Sequence, residues 1–423
     1  MNRVVVTGLG VVAPNGANVP SFTDAIRQGV SGLHFLQELK DYAMACCVAG
    51  YPKDFDANTL SKYLSPGVFK SLRSTNIKYA LAAAIEAWEN AGLTVNNGDA
   101  QAETGCVFGN GVCDVEHMHY AIDIFDKAEV QKLGVRHIEQ LMSSGASAYI
   151  GGLLGLANQV TANSSACSTG TEAVIMAYEK IHSGDATRMV AGSCEASSKY
   201  IWGVFDAMRV LNRNYNDNPT AASRPMSIDT AGFVPGSGAG ALILEEMNTA
   251  IDRGATIYAE ILGGFVNSGG QRNGGTMTAP SPPGVIKCIE TAIKKSNIDP
   301  SDIDLICGHL TGTLADKIEI ANWSQALNRS GDNFPYINTL KSLTGHCISA
   351  TGSIECVAAI LQLHHNFIQP NINCEKIQPE ILNIIDEKCI VREPVNKEIN
   401  TVIKANFGFG DVNSCVIFKK YKP

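Results

Sequence analysis

Ser164–Ala177 reads SSACSTGTEAVIMA, a cluster of small polar residues running into an apolar-periodic segment. This places Cys167 at a strand-to-helix junction. A cysteine there meets the positive end of the helix and free backbone N–H groups, which favour thiolate and can hold an oxyanion. The ordinary alternative, a buried structural cysteine, suits most of the other twelve; Cys106, Cys356 and Cys415 lie inside apolar runs.

Outward from this junction, strand-like runs at Arg3–Thr7, Thr104–Phe108, Met189–Gly192 and Ala241–Leu244 alternate with helix-length stretches at Ile77–Ala91 and Thr171–Ser183. A second series of similar order follows: Tyr258–Phe265, Val285–Ser296, Leu305–Gly308 and Cys415–Lys419. The alternation predicts an α/β fold of two similar halves, residues 1–250 with the nucleophile and 251–423 with the histidines discussed below. Internal identity is too faint to establish a repeat. At 423 residues the chain exceeds the roughly 250–300 at which a single core stops growing.

Hydrophobic residues make up 45% and charged residues 17%, the balance of a compact globular protein. A net charge of −8 argues against a nucleic-acid binder, so an acidic partner needs a local basic patch. The thirteen cysteines lack the spacing of a disulfide framework and predict a reduced, cytoplasmic protein. The opening MNRVVVTGLGVV is too short for a secretory segment, and no apolar run is long enough for a membrane span.

Gly8, Gly10 and Ala13 fit a dinucleotide-binding pattern, but Pro14 falls where the pyrophosphate-binding helix should run; a strand and turn are expected, with no cofactor. Cys113, His117 and His119 lie close together and His364 adjoins His365, yet neither set has a structural-zinc spacing, so no metal is expected.

Three further stretches carry chemistry. CGHLTGT (Cys307–Thr313) ends a strand and presents His309; NTLKSLTGH (Asn338–His346) carries Lys341 and sets His346 at a helix start; KANFGFGDVNS (Lys404–Ser414) is a glycine-rich turn whose Phe409 amide can act as a second oxyanion donor beside Cys167. A helix N-terminus disfavours imidazolium, so His346 is expected to be neutral and to donate to a thioester carbonyl. Two neutral histidines converging on one carbonyl can hold an enolate formed by decarboxylation. Taken singly, each stretch has a plain alternative in a capping histidine or a hairpin.

Together, SSACSTG, GHLTGT, KSLTGH and NFGFG, with ASRPMSIDTAGFVPGSGAGALILEE (Ala222–Glu246) and GDATRMVAGSCEA (Gly184–Ala196), resemble the elongating β-ketoacyl-carrier-protein synthases over essentially the whole chain. The resemblance implies a thiolase fold, two βαβαβαββ halves stacked as five α–β–α–β–α layers, usually homodimeric. It further implies that Cys167 takes the acyl group, that His309 and His346 promote malonyl decarboxylation, that Lys341 and Glu355 form a charged pair beneath them, that Phe409 is a gate and that Val112 lies near the acyl-pocket floor.

The partner it implies is acyl carrier protein, which is acidic. Lys62, Lys70 and Arg73 offer a basic docking patch, with Lys70 and Arg73 expected on one helix face at i, i+3.

Leu310, Ala231 and Asp411 depart from the family pattern, where glycine, an acidic residue and glycine are usual. Leu310 is expected to narrow the site and Asp411 to add a carboxylate beside the mobile turn, indicating a specialised branch. HLTGT with LHHNFIQPNINCE (Leu363–Glu375) is similar to the synthases of aryl polyene and flexirubin-type pigment pathways. Alternatives are a thiolase, which needs a second cysteine as base near the C-terminus, and a silent chain-length subunit, which lacks the nucleophile. Pairing with such a subunit as a heterodimer stays open.

Overall fold

A computed structural model describes residues 1–95 and 98–422. Its main elements fall into two series. The first is β1 (Val4–Val12), α1 (Thr75–Asn90), β2 (Thr104–Asn110), α2 (Gly145–Leu154), β3 (Val160–Thr161), α3 (Thr169–Ser183), β4 (Arg188–Glu195) and β5 (Gly238–Glu246). The second is β6 (Ala259–Ser268), α4 (Pro282–Ser296), β7 (Leu305–Cys307), α5 (Asp316–Leu327), β8 (Tyr336–Asn338), α6 (Thr351–His365), β9 (Thr401–Gly408) and β10 (Val412–Lys419).

Each series reads βαβαβαββ, and strand n of the first occupies the place of strand n+5 in the second. The orders are β1-β5-β4-β2-β3 and β6-β10-β9-β7-β8. In both, the first two pairings are antiparallel and the last two parallel. The sheets are also joined at a seam, where Val4–Val6 of β1 pair antiparallel with Ala259–Ile261 of β6.

Three apolar clusters hold the five layers of structure together. α1 and α2 cover the outer face of the first sheet with Ala80, Ala84 and Trp88. α4 and α5 cover the outer face of the second with Ile289, Ile320 and Trp323. α3 and α6 fill the space between, where Val174, Ile175, Val357 and Ile360 meet Val6, Val11 and Val416.

The first strand runs beyond the expected Arg3–Thr7 as far as Val12, and Gly8 and Gly10 lie inside it. A Cβ on Gly8 would stand 2.1 Å from the Ala87 carbonyl oxygen and one on Gly10 1.9 Å from that of Ala83. These glycines let α1 press directly on β1, which accounts for the dinucleotide-like spacing.

α3 and α6 cross at their first turns, glycine against glycine. A Cβ on Gly170 would lie 2.2 Å from the Ser353 nitrogen, and one on Gly352 2.4 Å from the Thr171 nitrogen. Each helix is preceded by a 3-10 turn, Ala166–Ser168 and Ile348–Ala350, whose first residue has positive φ, 48° at Ala166 and 50° at Ile348. ACSTG and ISATG therefore occupy matching places, and Ser349 stands in the second half where Cys167 stands in the first.

Candidate active site

Cys167 sits in the turn ahead of α3, partly exposed, with Thr169 bracing it. The Thr169 hydroxyl donates to the Ala166 carbonyl and accepts from the Ser165 N–H. Ser168 fastens the turn to the other half by donating to the carbonyls of Asn406 and Val412. The glycine-rich turn comes so close that a Cβ on Gly408 would stand 3.1 Å from the Cys167 nitrogen. The amides of Phe409 and of Cys167 itself are directed at the sulfur.

His346 Nε2 lies 3.1 Å from Cys167 Sγ. Its Nδ1 receives the Ile348 N–H at 3.0 Å and faces the Thr351 hydroxyl at 2.9 Å. A backbone N–H can only donate, so Nδ1 is the acceptor and the proton sits on Nε2, aimed at the sulfur. His346 precedes α6 by a short 3-10 turn rather than opening the helix itself.

His309 arrives from the end of β7, held by its own N–H donating to Glu319 and by that of Leu310 donating to the other carboxylate oxygen. Its Nδ1 lies 3.1 Å from Asn406 Nδ2, whose second hydrogen goes to Glu355. The Glu355 carboxylate accepts only, which orients the Asn406 amide and leaves His309 also protonated on Nε2. The two rings stand edge to face, 5.4 Å between centroids. The ligating atoms of Cys167, His309 and His346 all lie within 4.8 Å of one another.

Beneath the histidines Glu355 is held between two buried lysines, Lys341 Nζ at 2.6 Å and Lys404 Nζ at 2.8 Å. Lys341 is the partner named from the sequence. Lys404 and Asn406 are not, although both stand in the quoted KANFGFGD stretch; a lysine inside a strand this apolar was the available signal. Burial opposes ionisation of Glu355, but the two lysines outweigh it and hold the carboxyl below its ordinary range. Two cations against one anion leave an excess positive charge under the site.

Burial first, and then the two ammonium groups, push both histidines well below their ordinary value, so both are neutral. Burial also pushes the Cys167 thiol up to about 11, against the opposing pull of Lys341 and the two amides. The expectation that the helix end and the free N–H groups would favour thiolate is corrected: the amides do pull that way, but desolvation outweighs them and the sulfur rests as a thiol.

A cavity of about 510 Å³ opens beside the three side chains, lined by Phe205, Phe233, Ile348 and Phe409 among others. Val112 is not on it; it stands 39% exposed on the surface just beyond β2. Leu310 does not narrow it either, since that side chain is buried in the outer core with Met226, Ile320 and Trp323. Ala231 is exposed, and Asp411 is buried.

Lys62, Lys70 and Arg73 are exposed, but the helix carrying Lys70 spans only Pro66–Ser71, so Arg73 lies past its end, with its guanidinium 4.4 Å from the centre of the Tyr120 ring. The expected shared helix face is thereby corrected. Among the other histidines, His117 and His137 stack at 4.7 Å and His364 meets His365 edge on.

Residues 1–250 match the family described as the N-terminal domain of beta-ketoacyl synthase, and residues 258–375 match its C-terminal domain. The chain is 34% identical over 429 residues to 3-oxoacyl-[acyl-carrier-protein] synthase 1 of Buchnera aphidicola and 32% identical over 424 residues to that of Escherichia coli K12, covering each in full.

Among solved structures, a beta-ketoacyl synthase from Burkholderia phymatum superposes with a TM-score of 0.90 at 26% identity. A type II PKS ketosynthase, in complex with its acyl-carrier protein and bound to the hexaketide, does so at 0.85 and 28%; both comparisons cover the whole of each chain. The likeness runs through both halves of the duplicated fold and not only through the segment that carries the cysteine, and the chain belongs to the beta-ketoacyl synthase family of acyltransferases.

Proposed function

We propose that Cys167 attacks a carrier-protein thioester and takes its acyl group, the S–H proton passing to the departing carrier thiolate, and that His309 and His346 then hold the thioester carbonyl of a malonyl group while it loses carbon dioxide. The electron pair of the broken carbon–carbon bond passes into an enolate whose oxygen sits between the two Nε2–H donors. Its carbon attacks the acyl carbonyl on Cys167. The tetrahedral oxyanion meets the amides of Cys167 and Phe409, and the Cys167 thiolate leaves.

The observation that carries this reading is the pair of neutral histidines, each with Nδ1 occupied, gathered with one sulfur so that a ligand atom of each lies within 4.8 Å of the others. The excess positive charge of Lys341, Glu355 and Lys404 favours the shift of negative charge from the malonyl carboxylate to the thioester oxygen as the enolate forms. The test is mass spectrometry of the intact protein after incubation with acyl carrier protein, together with release of labelled carbon dioxide from malonyl carrier protein; acylation at a residue other than Cys167 would overturn it.

The carrier protein is read as docking through Lys62, Lys70 and Arg73. The exposed apolar residues Ile122, Phe125, Val135 and Ile138 support assembly of two copies. Thirteen unpaired cysteines support a reducing, cytoplasmic setting, and among the described residues no helix is long and apolar enough to cross a membrane. For the cargo we keep an unsaturated or aryl-primed chain, supported by the aromatic wall of Phe205, Phe233 and Phe409. A panel of saturated, polyenoyl and aryl-primed carrier proteins tests it.

A further inference from the structure

Asp411 closes the turn that carries Phe409, and its side chain is fully buried at a φ of 60°, a conformation that disfavours residues other than glycine. Its carboxylate reaches across to the segment between β6 and α4. Oδ2 accepts the Gln271 N–H at 2.8 Å, and Oδ1 accepts the Ser281 N–H at 2.7 Å. The main chain adds two bonds, from the Gly269 N–H to the Asp411 carbonyl and from the Gly410 N–H to the Met277 carbonyl.

The segment is shaped to receive this group. A Cβ on Gly269 would stand 2.3 Å from an Asp411 carboxylate oxygen, and one on Gly275 2.4 Å. Ser281 caps α4, so the carboxylate also lies at the positive end of a 15-residue helix. Between its two anchor points the segment supplies Gly274, Thr278, Ala279 and Pro280 to the cavity beside Cys167, which Phe409 also lines.

We propose that Asp411 is a positioning residue that binds the Phe409 turn and the 269–281 segment into one unit, so that the two sides of the cavity wall open together and set how large a group reaches Cys167. Both anchors accept from backbone N–H groups at opposite ends of one excursion, so releasing the carboxylate frees both ends at once. The proposal rests on Cys167 as the acceptor of the acyl group, but its consequence is physical access to the sulfur.

Asp411→Gly removes the carboxylate and suits the positive φ, whereas Asp411→Asn keeps the shape and can accept only one of the two N–H groups, its other arm being a donor. The experiment compares alkylation of Cys167 by iodoacetamide and by a fluorescein maleimide, read peptide by peptide, with hydrogen exchange at Gln271 and Ser281. We expect the maleimide-to-iodoacetamide rate ratio to rise about tenfold in D411G and less in D411N, with faster exchange at both amides, the scale of a lost charged hydrogen bond.

With acyl carrier proteins of graded bulk, KM for the bulky ones falls several-fold more than KM for the smallest. An unchanged ratio with unchanged exchange in folded D411N would overturn the proposal, and this variant alone decides if D411G does not fold. Alkylation and exchange need no acyl substrate, so a failure of the acyl-transfer reading would leave them unaltered.

Discussion

His346 Nε2 stands 3.1 Å from Cys167 Sγ while His346 Nδ1 is filled by the Ile348 N–H, so this histidine faces the sulfur as a donor and not as a base. That distinguishes it from the histidine of a hydrolytic pair, which must take the nucleophile's proton.

The two roles separate on mutation. Cys167→Ala abolishes acylation by carrier protein, read by intact mass. His309→Ala and His346→Ala retain acylation and lose malonyl decarboxylation by about 10²–10³-fold each, the usual effect of deleting one oxyanion donor. Carbon dioxide release unchanged in both histidine variants would contradict the division.

Lys404→Met removes one of the two cations that hold both histidines down. Their values then rise toward the ordinary one, so the acid limb of the kcat profile moves to higher pH, since loss of the neutral form occurs sooner as pH falls. Glu355 keeps Lys341 and Asn406 as partners, and the fold should survive. A limb that stays put would remove Lys404 from the electrostatics of the site.

Cys167, raised to about 11 by burial, should alkylate slowly at neutral pH, with the rate climbing as pH rises toward that value. Lys341 opposes the rise, so Lys341→Met slows alkylation further at a given pH. Stopped assays with iodoacetamide across pH 7–10, a window chosen on the ordinary thiol range of about 8–9, read both effects.

Gly170→Ala drives a methyl group to 2.2 Å from the Ser353 backbone nitrogen, where no side chain can swing away. The loss in stability should reach at least the upper part of the ~1–3 kcal/mol typical of overpacking. Because the same turn carries Cys167, acylation should fall with it. Denaturant melts and acylation rates measured on one preparation test the coupling.

Replacing Lys62, Lys70 and Arg73 together by Glu should lower kcat/KM for acyl carrier protein several-fold at low salt and progressively less as salt screens the patch. Alkylation of Cys167 by iodoacetamide should be untouched. An equal loss with a small acyl thioester lacking the carrier would point away from docking.

While Glu355 as the partner of Lys341 came from the family resemblance, the sequence read alone determined the alternation of strands and helices, the turn that presents Cys167, and the stretches that present His309, His346 and Phe409. These depend on local signals: period, small residues at a helix start, and glycine in turns. Tertiary structure decided what those groups are chemically. The tautomers come from Ile348 and Asn406, the second cation from Lys404, and the thiol's protonation from burial by the whole protein.

It also decided which way side chains face, turning Leu310 into the core and Val112 to the surface. And it separated two equivalent places in the duplicated fold. Cys167 opens on the cavity, while Ser349 is buried and bound to the Glu195 carboxylate at 2.6 Å. ACSTG and ISATG are nearly alike as strings; partners more than 150 residues away, which no local pattern records, set His346 beside the Cys167 sulfur and make Ser349 a structural joint.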